Sequence, residues 1–373
     1  MTPYFTVPAD FVPDTLRTYC GRDWAVPIRE VYGSLKFARF GGGRHDGVLP
    51  DCAREDFAAY VRAAADRGIA FNYLLNAACM SGEELTADGQ RRLDDWLEFL
   101  LGSGVRRITA ALPPLVDFVL RRHPGFQVYV SVIAGIDSLS RLRRFLGDRR
   151  VAGIYLHESL HRDPPALAAV CRECRSREIE VGMIVNTLCD ADCPWRHFHY
   201  DLVSHALPGE RFPYLWYYGT ECKIRRLRDP RQVLRLPWVR PDDIPRYLEA
   251  GVTRFKLGGR DLVKFGADFA RSVSDYNHAP YEGNLLDLFL CHADVERRGL
   301  YHLDNTPRLS RFLDAAFSGE LHCRDCDDCG KCADLAAAIA PDPAERERFA
   351  ALYAKRRAAA LLLDERLSSE HES

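Results

Sequence analysis

Four cysteines stand at strict spacing in the segment HCRDCDDCGKC: Cys323, Cys326, Cys329 and Cys332. Thiols this dense, separated by small, acidic and glycine residues, can wrap a soft metal centre. The run is close to the bacterial ferredoxin pattern, which has three residues before its last cysteine and a proline after it. It predicts a [4Fe–4S] cluster. A structural zinc knuckle held by the four thiols is the alternative, and four unliganded thiols are the plainest reading. A second group lies in VNTLCDADCPWRHFHY, with Cys189 and Cys193, followed by Cys222 in GTECKIRR. Cys171 and Cys174 form a C-x2-C inside a helical pattern with apolar neighbours and read as core or surface thiols. Cys20, Cys52, Cys79 and Cys291 are isolated, and buried free cysteine is common. Cys79 stands out among them because it follows a strand pattern.

Polar residues cluster around the second cysteine group. Arg196, His197 and His199 follow Cys193 directly. An imidazole there can move protons at neutral pH or ligate metal, or it can be an ordinary helix-surface or core histidine. His157 and Glu158 close the segment IYLHES, where an imidazole and a carboxylate can act as an acid–base pair or simply cap a helix. Asn76 and Asn186 end strand patterns; their amides suit substrate orientation, and asparagine is also a common turn residue. Lys256 and Arg260 in FKLGGR are candidates to bind a carboxylate or phosphate, with a plain salt bridge as the other possibility. Arg44 lies in the Gly-rich FGGGRHDG, which lacks the Gly-Lys-Ser/Thr of a phosphate loop. It reads as a possible anion contact on a loop over the site.

These residues must be positioned by something, and the periodicity says what. Short β-branched runs alternate with amphipathic stretches. Strands are expected at 28–34, 69–76, 106–112, 127–134, 151–157, 178–186, 232–238 (weakly) and 253–259. Helices are expected at 54–68, 86–104, 114–124, 137–149, 164–177, 240–252 and 260–276. Gly68, Gly104 and Gly251 fall where left-handed helix caps belong. Strand–helix alternation at this spacing means a parallel sheet, and eight strands are the count of a TIM-barrel-like (β/α)8 fold. In such a barrel chemistry gathers where strands end, here at Ser34, Asn76, His157, Asn186 and Lys256. A doubly wound sheet is the alternative, but no phosphate-binding glycine loop follows the first strand. The alternation stops near residue 280. The expected organisation is a barrel over 1–279 and a Cys-rich extension over 280–373 with a terminal helix at 343–367.

Composition narrows the function. The chain has 373 residues, with 47% hydrophobic and 28% charged residues, an ordinary globular mix. The net charge of −2 and pI near 6.6 argue against bulk nucleic-acid binding and leave contact with RNA open. Only six of the 51 basic residues are lysine. No apolar run has the length of a membrane span, and the N-terminus lacks the pattern of a secretion signal. A cytoplasmic location is expected. Thirteen cysteines in such a chain point to metal or redox chemistry, since disulfides are rare in the cytosol.

The order and spacing of VNTLCDADC, GTEC and EAGVTRFKLGGR resemble the collagenase-like peptidase U32 family over roughly residues 28–275. The resemblance implies a TIM-barrel-like domain and, in several branches, a four-cysteine [4Fe–4S] site. Those branches are implicated in oxygen-independent hydroxylation, with prephenate as a proposed oxygen donor. Cys189, Cys193 and Cys222 match three of the family's ligands. The fourth would fall shortly before RPDDI, where LRLPWVRP has no cysteine. A thiol from 323–332, or Cys79, or an open iron would complete the site. The chain is therefore expected to be an iron–sulfur oxidoreductase or hydroxylase acting on a small biosynthetic intermediate. A peptidase is the alternative, although GxSxG and HExxH are absent. A cluster-bearing subunit supporting a protein partner is a third. Two clusters imply about eight irons and a shared one about four; two are expected, so truncation before residue 320 should leave about half the iron.

Overall fold

The computed structural model describes residues 2–36, 40, 42–205, 215–295, 301–321 and 329–362. Eight parallel strands close into a barrel in sequence order: β1 (Tyr4–Pro8), β2 (Ile28–Gly33), β3 (Ala70–Leu75), β4 (Arg107–Ala110), β5 (Gln127–Val130), β6 (Gly153–Tyr155), β7 (Glu180–Ile184) and β8 (Arg254–Lys256). Closure is made by β8 against β1, with Phe5 opposite Phe255. The helices are α1 (Thr15–Thr18), α2 (Arg54–Ala65), α3 (Ala87–Gly102), α4 (Pro113–Arg122), α5 (Leu139–Leu146), α6 (Pro164–Ser176), α7 (Arg196–Ser204), α8 (Leu215–Arg228), α9 (Arg231–Arg235), α10 (Ile244–Ala250), α11 (Phe269–Tyr276), α12 (Leu285–Phe289), α13 (Pro307–Phe317), α14 (Ala333–Ile339) and α15 (Pro343–Leu362).

The TIM-barrel-like reading holds, but one strand is not where the sequence predicts it. β1 (Tyr4–Pro8), between β8 and β2, makes up the count of eight in the absence of a strand at 232–238, and β7 pairs directly with β8. Residues 231–235 form the short helix α9 instead. The Asp229 carboxylate accepts from the Arg231 amide at 3.1 Å, and Pro237 forces Leu236 into extended backbone (φ −62°, ψ 143°). The turn thus begins and ends within five residues. The helix expected over 260–276 is also shorter, because Gly266 turns left-handed (φ +67°) and the Asp268 side chain starts α11 by accepting from the Arg271 amide. Gly68, Gly104 and Gly251 all have positive φ, as expected of helix caps.

Alternation sorts each strand into two sets of positions. One set, with Phe5, Val31, Tyr73, Ile108, Val128, Ile154, Met183 and Phe255, is buried in the apolar layer shared with the surrounding helices. The positions between them face the lumen, and they are polar to a degree unusual for this fold, whose interior is usually branched and aliphatic. Arg254 on β8 reaches Glu30 on β2 and lies 3.8 Å over the Tyr129 ring on β5. Those contacts are possible only across the lumen. Gly153 and Gly182 admit the large rings: a Cβ on Gly153 would sit 2.6 Å from Tyr129, and one on Gly182 would sit 2.7 Å from Tyr155.

The C-terminal segments join the same apolar layer through Leu285, Leu288, Phe289, Leu309, Leu313, Leu335 and Ile339. No described helix is long and apolar enough to cross a membrane.

Candidate functional site

The site is built at the C-terminal ends of the strands. Ser34, Asn76, His157, Asn186 and the Lys256 region close β2, β3, β6, β7 and β8, as the sequence implies. The loop after β7 carries Cys189 and Cys193 and runs into α7; α8 supplies Cys222.

Arginines hold this loop. Arg196, at the start of α7, is 7% exposed. It pairs with Glu158, donates to the Asp190 carbonyl, and points Nη2 at Cys189 Sγ from 3.6 Å. Arg226 of α8 donates to the Leu188 carbonyl, and Arg225 lies 3.7 Å from Asp190. Two adjacent arginines of α8 thereby hold both neighbours of Cys189, one at the Leu188 carbonyl and one at the Asp190 carboxylate.

The three thiols interact. A hydrogen bond from the Cys222 thiol draws Cys193 down to about 6, aided by the Trp195 amide and Arg196. The same bond, with burial, pushes Cys222 up. Cys189 is raised by burial against the opposing pull of Arg196. Among the described residues, no group of three or more His, Cys, Asp or Glu side chains is arranged to hold a metal ion. A four-iron cluster takes one thiolate per iron and spreads its ligands more widely than a single ion does. Three soft donors under arginine cations fit such a group chemically. A fourth is not found with them among the described residues. Cys79 Sγ accepts from the Ser81 amide at 3.3 Å, and its loop meets the far end of α7 through Ala78 and Ser204. In the C-terminal run, Cys329 is exposed and Cys332 half-buried; Cys323 and Cys326 lie outside the described residues.

The acid–base candidates divide. Burial alone would raise the Glu158 carboxyl, but Arg196 and His157 bring it below the usual range. His157 Nδ1 lies 2.9 Å from Ser159 Oγ and 3.3 Å from the Ser159 amide, which it caps; Nε2 lies 3.1 Å from Arg196. Burial lowers its pKa. This pair and Arg196 form one network, through which Arg196 clasps the thiol loop. His199 is half-buried and stacked on Tyr218 at 5.6 Å, its pKa lowered by burial and by Arg44. His197 is exposed on α7.

The amides divide too. Asn186 is consumed by the backbone: Nδ2 donates to the carbonyls of Gly258 and Phe289 at 3.0 and 2.9 Å, and Oδ1 accepts from the Gly258 amide at 2.6 Å. It fastens β7 to β8 and has no amide proton directed at a ligand. Asn76 Oδ1 accepts from the Gly43 amide at 3.2 Å, which draws the Gly-rich segment onto the mouth.

Three cations remain around the lumen opening. Lys256 is 8% exposed and Arg260 6%. Lys256 Nζ sits 3.8 Å over the Tyr32 ring and 4.9 Å from the Tyr155 ring. Burial, then Arg260, hold its pKa well below the ordinary lysine value. Arg260 donates to Ser34 Oγ at 3.1 Å, and burial with the nearby Arg44 brings it down to about 10. Arg44 lies 3.7 Å from Asp261. Tyr32 and Tyr155, not anticipated as site residues, were signalled by alternation: each stands two residues beyond a lumen position, Glu30 and Gly153. A cleft of about 640 Å³ borders the thiol loop, with Glu158, Arg162, Asp190, Arg225 and Phe317 in its walls.

A barrel whose strand ends carry a thiol group and a cationic mouth is an enzyme-like architecture, and comparison with known proteins places it. The uncharacterized protease MJ1657 of Methanocaldococcus jannaschii is 31% identical over 314 residues, 82% of this chain and 87% of that protein. The chain belongs to the peptidase U32 family. Among solved structures, the U32 peptidase Mk0906 is 22% identical with a TM-score of 0.48, covering 69% of this chain and 93% of that one. The citrate synthase SbnG is 12% identical with a TM-score of 0.31, covering 59% and 91%. No family profile matches the sequence.

Proposed function

We propose that this U32 protein is an iron–sulfur enzyme that performs oxygen-independent hydroxylation, or a related redox step, on a small anionic intermediate held at the barrel mouth. The observation that supports this reading is the convergence of Cys189, Cys193 and Cys222 from the β7 loop and α8 beneath Arg196. When bound there, a [4Fe–4S] cluster supplies one-electron chemistry and, at an iron lacking a thiolate, a position open to a ligand. The chain's own residues do the rest. Arg196 and Arg226 fix the thiol loop and lower the cost of thiolate charge. Arg260 and Arg44 attract a carboxylate or phosphate. The Gly-rich segment, tied to Asn76, walls the mouth.

Iron and acid-labile sulfide in anaerobically purified protein test the reading. Brown protein with both is expected; colourless protein with stoichiometric zinc overturns it. Cys189→Ser, Cys193→Ser and Cys222→Ser should each lose the iron, because a hydroxyl holds it poorly. Cys171→Ser should retain it. Whether the C-terminal run binds a second cluster needs the full chain. Truncation before residue 320 would delete α15, which packs on α8 through an Arg357–Glu221 ion pair. The cleaner test replaces all four run cysteines with serine: half the iron remains if there are two clusters.

A peptidase is the second reading. It is favoured by the name of the M. jannaschii relative and by the acidic Cys193 thiol. Gelatin hydrolysis that disappears in Cys193→Ser and survives chelation of iron would establish it in place of the first.

A further inference from the structure

Lys256 is a buried amine with no anionic partner bonded to it among the described residues. Its neighbour two residues back, Arg254, meets Glu30 and Glu180. No carboxylate or carbonyl among the described residues bonds to Lys256. What surrounds it is two aromatic faces, Tyr32 and Tyr155, with Arg260 and Arg44 on the open side and Arg254 with Glu30 on the other. The ring faces offer an ammonium only a modest attraction. Desolvation of an ion costs more than that, and the arginines add repulsion. The balance leaves the nitrogen lone pair free, the condition under which a lysine becomes a nucleophile toward carbonyl carbon.

We propose that Lys256 forms an imine with the carbonyl carbon of an anionic oxo compound, such as a 2-oxo acid, whose carboxylate is held by Arg260. The lone pair of Nζ attacks the carbonyl carbon and a C–N bond forms as the C=O π bond opens. The oxygen leaves as water, carrying two protons, one taken from the amine in the first step and one in the second. Carbon and nitrogen keep a double bond, and no electrons enter or leave. The Tyr32 hydroxyl is engaged with the Leu257 carbonyl at 2.7 Å. The Tyr155 hydroxyl makes no hydrogen bond among the described residues and is the adjacent group able to return a proton to the departing oxygen. This inference rests on the reading of the mouth as the substrate site, and not on the cluster.

The six lysines of the chain make the test clean. The full-length protein is incubated with pyruvate and cyanoborohydride, digested, and read by peptide mass spectrometry. At least ten-fold more reduced pyruvyl adduct is expected on Lys256 than on the exposed Lys331. Acetone, which has no carboxylate, should label Lys256 several-fold less, and Lys256→Arg should abolish its adduct with an unchanged circular dichroism spectrum. Labelling that follows exposure across the six lysines, or none on Lys256 with either pyruvate or glyoxylate, overturns the proposal. Equal labelling by acetone overturns the carboxylate grip. Iron content is a separate readout: iron-free protein that still traps pyruvate overturns the iron–sulfur reading alone, and iron-bearing protein that does not trap it overturns this one alone.

Discussion

Arg254 and Lys256 stand two residues apart on β8 and face the same lumen, in layers that are built differently. In the lower layer every charge has a partner. Glu30, wholly buried, takes Arg254, Arg107 at 2.8 Å, Thr6 at 3.0 Å and Asn72 at 3.3 Å. Tyr4 and Arg254 share Glu180, and Thr109 donates to Asn72. In the upper layer Lys256 and Arg260 have aromatic rings and a single hydroxyl. Charges that serve the fold are matched within the chain. Charges that serve a ligand are left to be matched by it, at a cost in stability.

Breaking the lower layer should have the largest effect. Glu30→Ala removes the buried carboxylate shared by Arg254 and Arg107, leaving Arg254 only its longer contact to Glu180 at 3.3 Å, and should cost about 3–5 kcal/mol in chemical denaturation. Although burial alone would raise the Glu30 carboxyl, Arg254 and Arg107 hold it below its usual range. Its contribution is therefore present above the unfolded carboxylate value and fades as pH falls toward the folded one. Glu30→Gln should show a flatter acid limb than the wild type.

The upper layer should respond with the opposite sign. Lys256→Met removes an unmatched buried amine and should stabilise the protein by about 1–2 kcal/mol while abolishing turnover. The folded amine titrates lower than the unfolded one, so the unfolded chain binds the extra proton. Wild-type stability should rise with pH through the interval below about 10.4, and the methionine variant should lose that rise. A destabilised Lys256→Met would mean that the upper layer is paired after all.

The smallest effect belongs to Tyr32→Phe. It deletes one hydrogen bond and keeps the ring under Lys256, for about 1 kcal/mol. Undiminished imine trapping in this variant would show that the ring, not the hydroxyl, prepares the amine.

The strand–helix alternation and the strand ends are legible in the sequence because glycine caps and β-branched runs are local signals. β1 escapes because its five residues end in proline and precede the first helix pattern. Residues 232–238 mislead because Leu-Arg-Leu alternates like a strand, while Asp229 and Pro237 bracket a turn. The cysteine grouping is legible from order and spacing. The roles of Arg196 and Asn186 are not: Arg196 is occupied by Glu158, 38 residues away, and Asn186 by the Gly258 backbone, 72 residues away. The polar lumen was within reach, since Glu30 and Tyr32 share one parity along β2, and Arg254 and Lys256 share one along β8.

The grip of α15 on α8 has a consequence in time. The residues on either side of Cys222 are both held by the last helix: Glu221 pairs with Arg357, and Lys223 lies 4.9 Å over the Tyr353 ring. Arg346 adds a bond to the Leu227 carbonyl at 3.1 Å. A ribosome releases α15 after every other described element has emerged. The helix bearing the third thiol therefore gains its outer support only after α15 has followed it out, and a chain interrupted before α15 carries the first two thiols without a braced third.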